Sequence, residues 1–272
     1  MPELPEVETI ARGLARRVSG DVIESVWLGS KPEPLKSPAA DMEAALNAKK
    51  ILNVRRSGKH IVFDLGKSGT AGDSASAQWI VHLGMTGQLL VCPPASQVAK
   101  HTHAVLRLAS GRELRFVDPR RFGRLAILEN FTAPGVEPLT ISAADFATLF
   151  RDRKTPIKSA LLNQKLLSGV GNIYADEALH RAGVRPRRRA ATLTAEQLRR
   201  LHKQLKQVLM EAIRLGGSSI SDYVDSDGEE GLFQIKHRVY GRTGRPCRKC
   251  GTRIKRVVIA GRSSHYCPKC QK

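Results

Sequence analysis

Cys247-Arg248-Lys249-Cys250 and Cys267-Pro268-Lys269-Cys270 bracket the last ordered-looking stretch of the chain, sixteen residues apart. Two Cys-x2-Cys knuckles joined by a strand–turn–strand length are what tetrahedral coordination of zinc by four thiolates needs. Residues 253–259 and 263–266 are predicted to pair as a hairpin around Ala260-Gly261, with Arg262 at its tip. Four thiolates leave no open position for water or substrate, so the one Zn2+ expected here, on Cys247, Cys250, Cys267 and Cys270, is structural. A pair of disulfides is the competing reading, and it suits an oxidising compartment.

Working outward, the finger sits in a basic segment: residues 236–272 hold twelve Lys or Arg and no acidic residue. The whole chain has 45 Lys and Arg against 25 Asp and Glu, a formal net charge of +20. Such an excess points to a polyanionic partner, nucleic acid first and an anionic membrane second. Aromatic content of only 5% argues against a stacking platform for single strands. No apolar stretch is long enough to span a membrane, and the acidic N-terminus lacks a signal-peptide plan. A cytoplasmic location is therefore expected.

Upstream of the finger the pattern is helical. Ser142 with Asp145 resembles a capping box opening a helix to about residue 150, and residues 156–166 read as a second helix. A turn follows at Ser168-Gly169-Val170-Gly171, and Asn172 is the expected N-cap of a third helix ending before Gly183. Thr194 with Gln197 opens a long fourth helix, and a polar loop over 218–231 comes after it. Further upstream still, short β-prone runs at 22–28, 51–54, 61–65, 79–83, 88–91, 104–108, 113–117 and 125–128 suggest a sandwich or barrel. A short helix is expected over 41–48, and the small-residue stretch 69–77 reads as a loop. The change of character near Pro134-Gly135 marks a linker.

At the far end, Met1-Pro2-Glu3-Leu4-Pro5-Glu6-Val7-Glu8 opens the chain. Proline is small enough for the initiator methionine to be removed before it. That would free a secondary amine whose ordinary pKa of roughly 7.7–8.0 leaves a nucleophilic fraction near pH 7. Attack on an aldehyde-level carbon gives an iminium cation, an electron sink for elimination, with Glu3 beside it for proton transfer. The structural alternative is a helix start, since proline fits the first turn and Glu3, Glu6 and Glu8 complement the helix dipole. Leu4, Val7, Ala11, Leu14 and Val18 recur at helical spacing under either reading.

The N-terminal Pro-Glu, the β-rich region, the Gly-x-Gly-Asn turn and the terminal finger occur in this order over essentially the whole chain. Together they resemble the formamidopyrimidine-DNA glycosylase family. Matching segments are 2–8, 57–59, 82–87, 118–123, 169–175, 240–242 and the finger through Arg262. The resemblance implies an α+β multidomain fold. An N-terminal helix plus β-sandwich would occupy 1–133, a helical helix-two-turn-helix domain 134–235, and the four-cysteine zinc finger 236–272. It implies a monomeric bacterial repair enzyme that excises 8-oxoguanine and formamidopyrimidines from double-stranded DNA, then nicks the strand by β- and δ-elimination. Pro2 would be the nucleophile at C1′, Glu3 the proton donor that opens the sugar, and Lys59 a cationic proton donor. Arg262 would touch the lesion-side phosphate and support the second elimination.

A base must leave the stack to be attacked, at a cost of a few kcal/mol. By the resemblance Met85, Arg120 and Phe122 would fill the gap, with Phe122 as wedge and Arg120 facing the orphaned cytosine. His82, His101, Arg153, Lys158, Asn172 and Tyr240 match positions that contact DNA, mostly phosphates. Residues 218–233 match a loop that would surround the flipped purine. Leu4 separates the chain from a sister branch preferring oxidised pyrimidines, whereas Leu232 departs from the aromatic common before Phe233. A non-enzymatic zinc-ribbon nucleic-acid-binding protein would explain the charge and the cysteines, but not Pro2-Glu3, Lys59 and the loop together.

Overall fold

Helix α1 (Leu4–Val18) begins where the sequence concentrates its helix-start signals: Glu3 is the N-cap and proline stands in the first turn. Its apolar stripe of Val7, Ile10, Leu14 and Val18 enters the core of the first unit. The computed structural model describes residues 1–67, 75–220 and 223–272. It divides into two units, residues 1–133 with 216–231, and residues 134–215 with 232–272.

In the first unit, all eight β-prone runs are strands. They are β1 (Ile23–Leu28), β2 (Lys49–Ser57), β3 (His60–Lys67), β4 (Ala77–His82), β5 (Gln88–Cys92), β6 (Thr102–Leu108), β7 (Glu113–Val117) and β8 (Arg124–Leu128). They form two antiparallel four-stranded sheets, ordered β1-β6-β7-β5 and β2-β3-β4-β8. Ile51, Phe63, Trp79 and Val81 from one sheet and Leu89, Leu106, Leu114 and Phe116 from the other share a single buried cluster with α1. Helix α2 (Ala39–Leu46) adds Met42 and Leu46 to it. The loop expected over 69–77 lies outside the described residues up to position 74.

Residues 216–231, which the linear reading assigns to the helical region, pack in the first unit instead. The reason is polar: Ser218 N–H donates to the Glu6 carboxylate at 2.8 Å, and the Arg17 guanidinium pairs with Asp227.

The second unit contains α3 (Ala143–Phe150), α4 (Ile157–Leu162), α5 (Asn172–Ala182), α6 (Ala195–Arg214) and the hairpin β9 (Lys255–Ile259) with β10 (Arg262–Tyr266). Two of the three predicted caps are made: Ser142 Oγ accepts from Asp145 N, and Thr194 and Gln197 form a reciprocal capping box. Helix α4 ends four residues earlier than its pattern suggests. Asn163 Oδ1 accepts from Lys165 N, and the Asn163 carbonyl accepts from Leu166 and Leu167, a turn that competes with continued helix. The finger groups with these helices in one unit, its Cys247 and Cys267 packing on Val239 and Ile254. No helix of the described residues is long and apolar enough to cross a membrane.

Candidate functional site

Pro2 and Glu3 are buried, Glu3 with only 4% of its surface exposed, whereas Met1 is exposed. While Met1 is attached the Pro2 nitrogen is an amide and inert; an exposed Met1 is open to removal, which creates the amine. Glu3 N–H donates to Glu6 Oε2 at 2.9 Å, while Glu6 Oε1 takes the Ser218 N–H. One carboxylate thus fastens the chain start to the 216–231 segment. The approach is close: a Cβ at Gly217, whose φ is +84°, would lie 3.0 Å from Glu6. Tyr223 completes the junction by donating its hydroxyl to the Gly216 carbonyl at 2.9 Å. Burial, reinforced by Glu6, pushes that phenol far above its ordinary range, so it remains a donor.

Lys59 stands in the two-residue turn between β2 and β3, flanked by the Ser57–His60 pair, with Gly58 at φ +61°. Glycine at the first central position of such a turn is what a type II′ hairpin requires. Lys59 is nine-tenths buried, on the hairpin against which α1 packs; Arg56 of β2 pairs with Glu8 of α1 at 2.7 Å. Next along the same sheet His60 faces His82, ring centroids 4.9 Å apart, and His82 faces Arg124. Burial first, then His60, Arg124 and Lys59, lowers the His82 imidazole to about 4. His82 is therefore neutral at pH 7. Its Nδ1 accepts the Gly84 N–H at 3.1 Å, which leaves the proton on Nε2.

That bond leads into the loop carrying Met85. Met85 and Phe122 are among the exposed large apolar side chains, at 42% and 53%, and the Arg120 guanidinium lies 4.9 Å from the Phe122 ring centre. Two loops carry them, backbone against backbone. A Cβ on Gly84, at φ +63°, would sit 2.5 Å from the Phe122 carbonyl carbon. Asp118 is the post that holds both loops: its carboxylate accepts from Thr86 Oγ1 at 2.5 Å and from Gly123 N at 2.7 Å. His103 contacts its carbonyl and the exposed His101 accepts its N–H. The sequence reading singles out the three protruding side chains but not Gly84, Thr86 and Asp118 beneath them. The glycines at 84, 87 and 123 and the Asp-Pro step were the available signals.

In the second unit two expectations need correction. Lys158 is fully buried: its Nζ lies 2.6 Å from Asp176 Oδ1 and donates to the Ser263 carbonyl at 2.5 Å, so it ties α4, α5 and the finger hairpin together. The same Asp176 receives the His265 N–H at 2.8 Å. Asn172 is the first residue of α5 and not its N-cap, a place taken by Gly171. Gly169, at φ +84°, makes the turn that leads into the helix. Asn172 Oδ1 is buried without a hydrogen-bond partner among the described residues, and the Gly169 N–H is already donated to Gln164 Oε1. Arg153 is exposed. Tyr240 is half-buried, its N–H held by the buried Glu177 carboxylate, which also takes those of Arg238 and Val239. The sequence reading did not find Glu177, because a carboxylate in mid-helix carries no local signature of such a role.

The four cysteine sulfurs lie within 4.8 Å of one another, a spread that suits ligands of one ion. Hydrogen bonds from Thr252 lower Cys250 to about 6, while burial and the neighbouring thiols raise Cys270 to about 12. A cluster of thiols that cannot all ionise without a cation fits a divalent metal. Beside it Ala260 and Gly261, both at positive φ, turn the hairpin and leave Arg262 exposed at its tip, as predicted.

Three family models match in succession: formamidopyrimidine-DNA glycosylase N-terminal domain over residues 1–125, formamidopyrimidine-DNA glycosylase H2TH domain over 134–224, and the zinc finger found in FPG and IleRS over 244–272. With the four-sulfur cluster, the last match gives the chain one structural zinc. A formamidopyrimidine-DNA glycosylase of Solibacter usitatus is 46% identical over the full length of both chains. Among solved structures, the Lactococcus lactis Fpg bound to abasic-site DNA is similar at TM-score 0.90 and 32% identity, over 99% of each chain. The Lactococcus lactis complex with Fapy-dG-containing DNA is similar at TM-score 0.88 and 32% identity, over 99% of this chain and 100% of that one.

Proposed function

The chain belongs to the formamidopyrimidine-DNA glycosylase family, base-excision repair glycosylases acting on damaged DNA, and from that premise we propose that it excises oxidised purines and then cuts the strand through an iminium on Pro2. The observation that carries this reading is the chain start itself. Pro2 is followed by a buried carboxyl, and the Glu6 carboxylate couples that terminus to the 216–231 loop. Relatives solved with Fapy-dG and abasic-site DNA support the substrate class.

In the proposed sequence the Pro2 amine attacks C1′ of the flipped nucleotide and the base departs with the C1′–N bond electrons, taking up a proton. Glu3 protonates the ring oxygen, the sugar opens, and the Pro2 nitrogen becomes a tertiary iminium. Loss of a C2′ proton then expels the 3′ phosphate, and a second elimination expels the 5′ phosphate. Water finally releases Pro2 as the free amine. Lys59 contributes a cation and proton donor near the developing negative charge, and Arg262 a charge for the departing phosphate. Zinc takes no part in bond breaking; it holds the finger.

Borohydride reduction during incubation with an 8-oxoguanine duplex tests the reading. The expected product is a covalent protein–DNA adduct that maps to Pro2 as the mature N-terminal residue, and a form retaining Met1 should give none. An adduct on Lys59, or nicking by the Met1-retaining form, would overturn it.

A further inference from the structure

Arg181 lies near the C-terminal end of α5, about 13 Å along the helix axis from Asn172 by the usual rise per residue. Its side chain is only 7% exposed, and one guanidinium nitrogen pairs with Glu211 of α6 at 2.7 Å. Its Nε is buried with no partner among the described residues, and the neighbouring His180 turns its Nε2 to Cys247 Sγ at 3.6 Å. Both residues line a cavity of about 520 Å³. The cavity is thus floored by a largely buried guanidinium.

The rim of this cavity has the matching charge. Lys236, Arg238, Arg248 and Lys249 surround it, all exposed, so with Arg181 five cations face one carboxylate. Glu211 pairs with Arg181, which leaves the four rim cations uncompensated. At the C-terminal end of α5, Arg200 Nε covers the Ala182 carbonyl, and the Gly183 and Val184 N–H groups cover those of His180 and Leu179. A concave site with a buried guanidinium floor and a cationic rim focuses potential on a compact, multiply charged anion, whereas duplex phosphates lie on a convex surface. The residues expected to touch DNA, namely Arg153, Asn172, Tyr240 and Arg262, are not among those lining it.

We propose that this cavity is a second, separate binding site, taking the di- or triphosphate group of a small molecule such as pyrophosphate or a nucleoside triphosphate. The phosphate oxygens would bridge the Arg181 floor and the Lys236 and Lys249 ammonium groups. A chain of three phosphates carries more charge for these cations to meet than one does. A base and sugar, where present, would add little.

Calorimetric titration of the zinc-loaded full chain tests this with tripolyphosphate, ATP, AMP and a lesion-containing duplex. Tripolyphosphate and ATP should bind once per chain with similar affinity, and AMP at least tenfold more weakly. Lys236→Gln combined with Lys249→Gln should weaken tripolyphosphate by about tenfold or more while lesion-duplex incision stays within about twofold. Arg181→Met should weaken it further, with zinc content reporting whether the unit is intact; should that variant misfold, the lysine pair alone decides. ATP binding that far exceeds tripolyphosphate binding would mean the base is what is read, overturning the phosphate assignment. Tripolyphosphate binding indifferent to the lysine pair, absence of binding, or competitive displacement by the duplex would overturn the separate site.

Discussion

Glu3 and His82 show how much a single side chain's surroundings determine. Glu3→Gln keeps the shape and the Glu3 N–H bond to Glu6 but removes the transferable proton, so base excision should fall by roughly 10²-fold or more. Nicking of a preformed abasic site should suffer less, because no base has to leave; parallel single-turnover assays on the two substrates make the comparison. His82 makes a prediction about pH. Its folded-state value of about 4 lies below the ordinary 6.5, so between those values the unfolded chain binds more protons than the folded one. Its contribution to stability is fully present above about 6.5 and is lost as pH falls towards 4, on the order of 3 kcal/mol in all. Urea unfolding at pH 7, 5.5 and 4.5 should show the parent losing stability faster than His82→Gln. Parallel curves would mean the buried imidazole is not what titrates. Lys158 carries the opposite lesson: a lysine in a basic protein is expected at the surface, yet here it is an internal ion pair whose partner, Asp176, lies 18 residues away in sequence.

Among the elements, the paired loops 83–87 and 118–123 and the finger hairpin carry side chains that act only if their backbones are held. Gly84→Ala introduces a Cβ 2.5 Å from the Phe122 carbonyl carbon at a left-handed φ. The cost should be about 1–3 kcal/mol, read by urea midpoint, and excision should drop at least tenfold because Met85 and Phe122 are displaced together. A Gly84→Ala protein with normal excision would show that the two loops do not position the gap-filling residues. The finger separates mount from function in the same way. Cys267→Ser should lose zinc and, since such sites contribute roughly 10 kcal/mol or more to folding, melt the hairpin and cripple duplex binding. Arg262→Ala should keep the zinc and lose one phosphate contact and part of the strand cleavage. Zinc content, duplex affinity and nicking measured side by side distinguish the two; full activity in zinc-free Cys267→Ser would show the finger to be dispensable.

For the whole molecule, the net charge of +20 should appear as a steep salt dependence. With some six phosphates neutralised, log K for a duplex should fall against log salt with a slope of about −5. A nearly flat line would mean that the charge serves something other than DNA. Much was legible from the chain alone. The strands, the Ser142 and Thr194 caps, the cysteine ligands and the Ala260-Gly261 turn rest on signals within about twenty residues. Local sterics, hydrogen bonding and metal geometry act over that range, so pattern and spacing determined them. Three features were not legible: residues 216–231 joining the first unit through Glu6, Asp118 holding two loops, and Lys158 and Glu177 turning inward. Each depends on a polar group meeting a partner brought near only by folding, from 18 to more than 200 residues away. A charged side chain reads the same in sequence whether water or a buried partner satisfies it. Only the tertiary structure decides which, because the cost of burial is offset by geometry that no local pattern encodes.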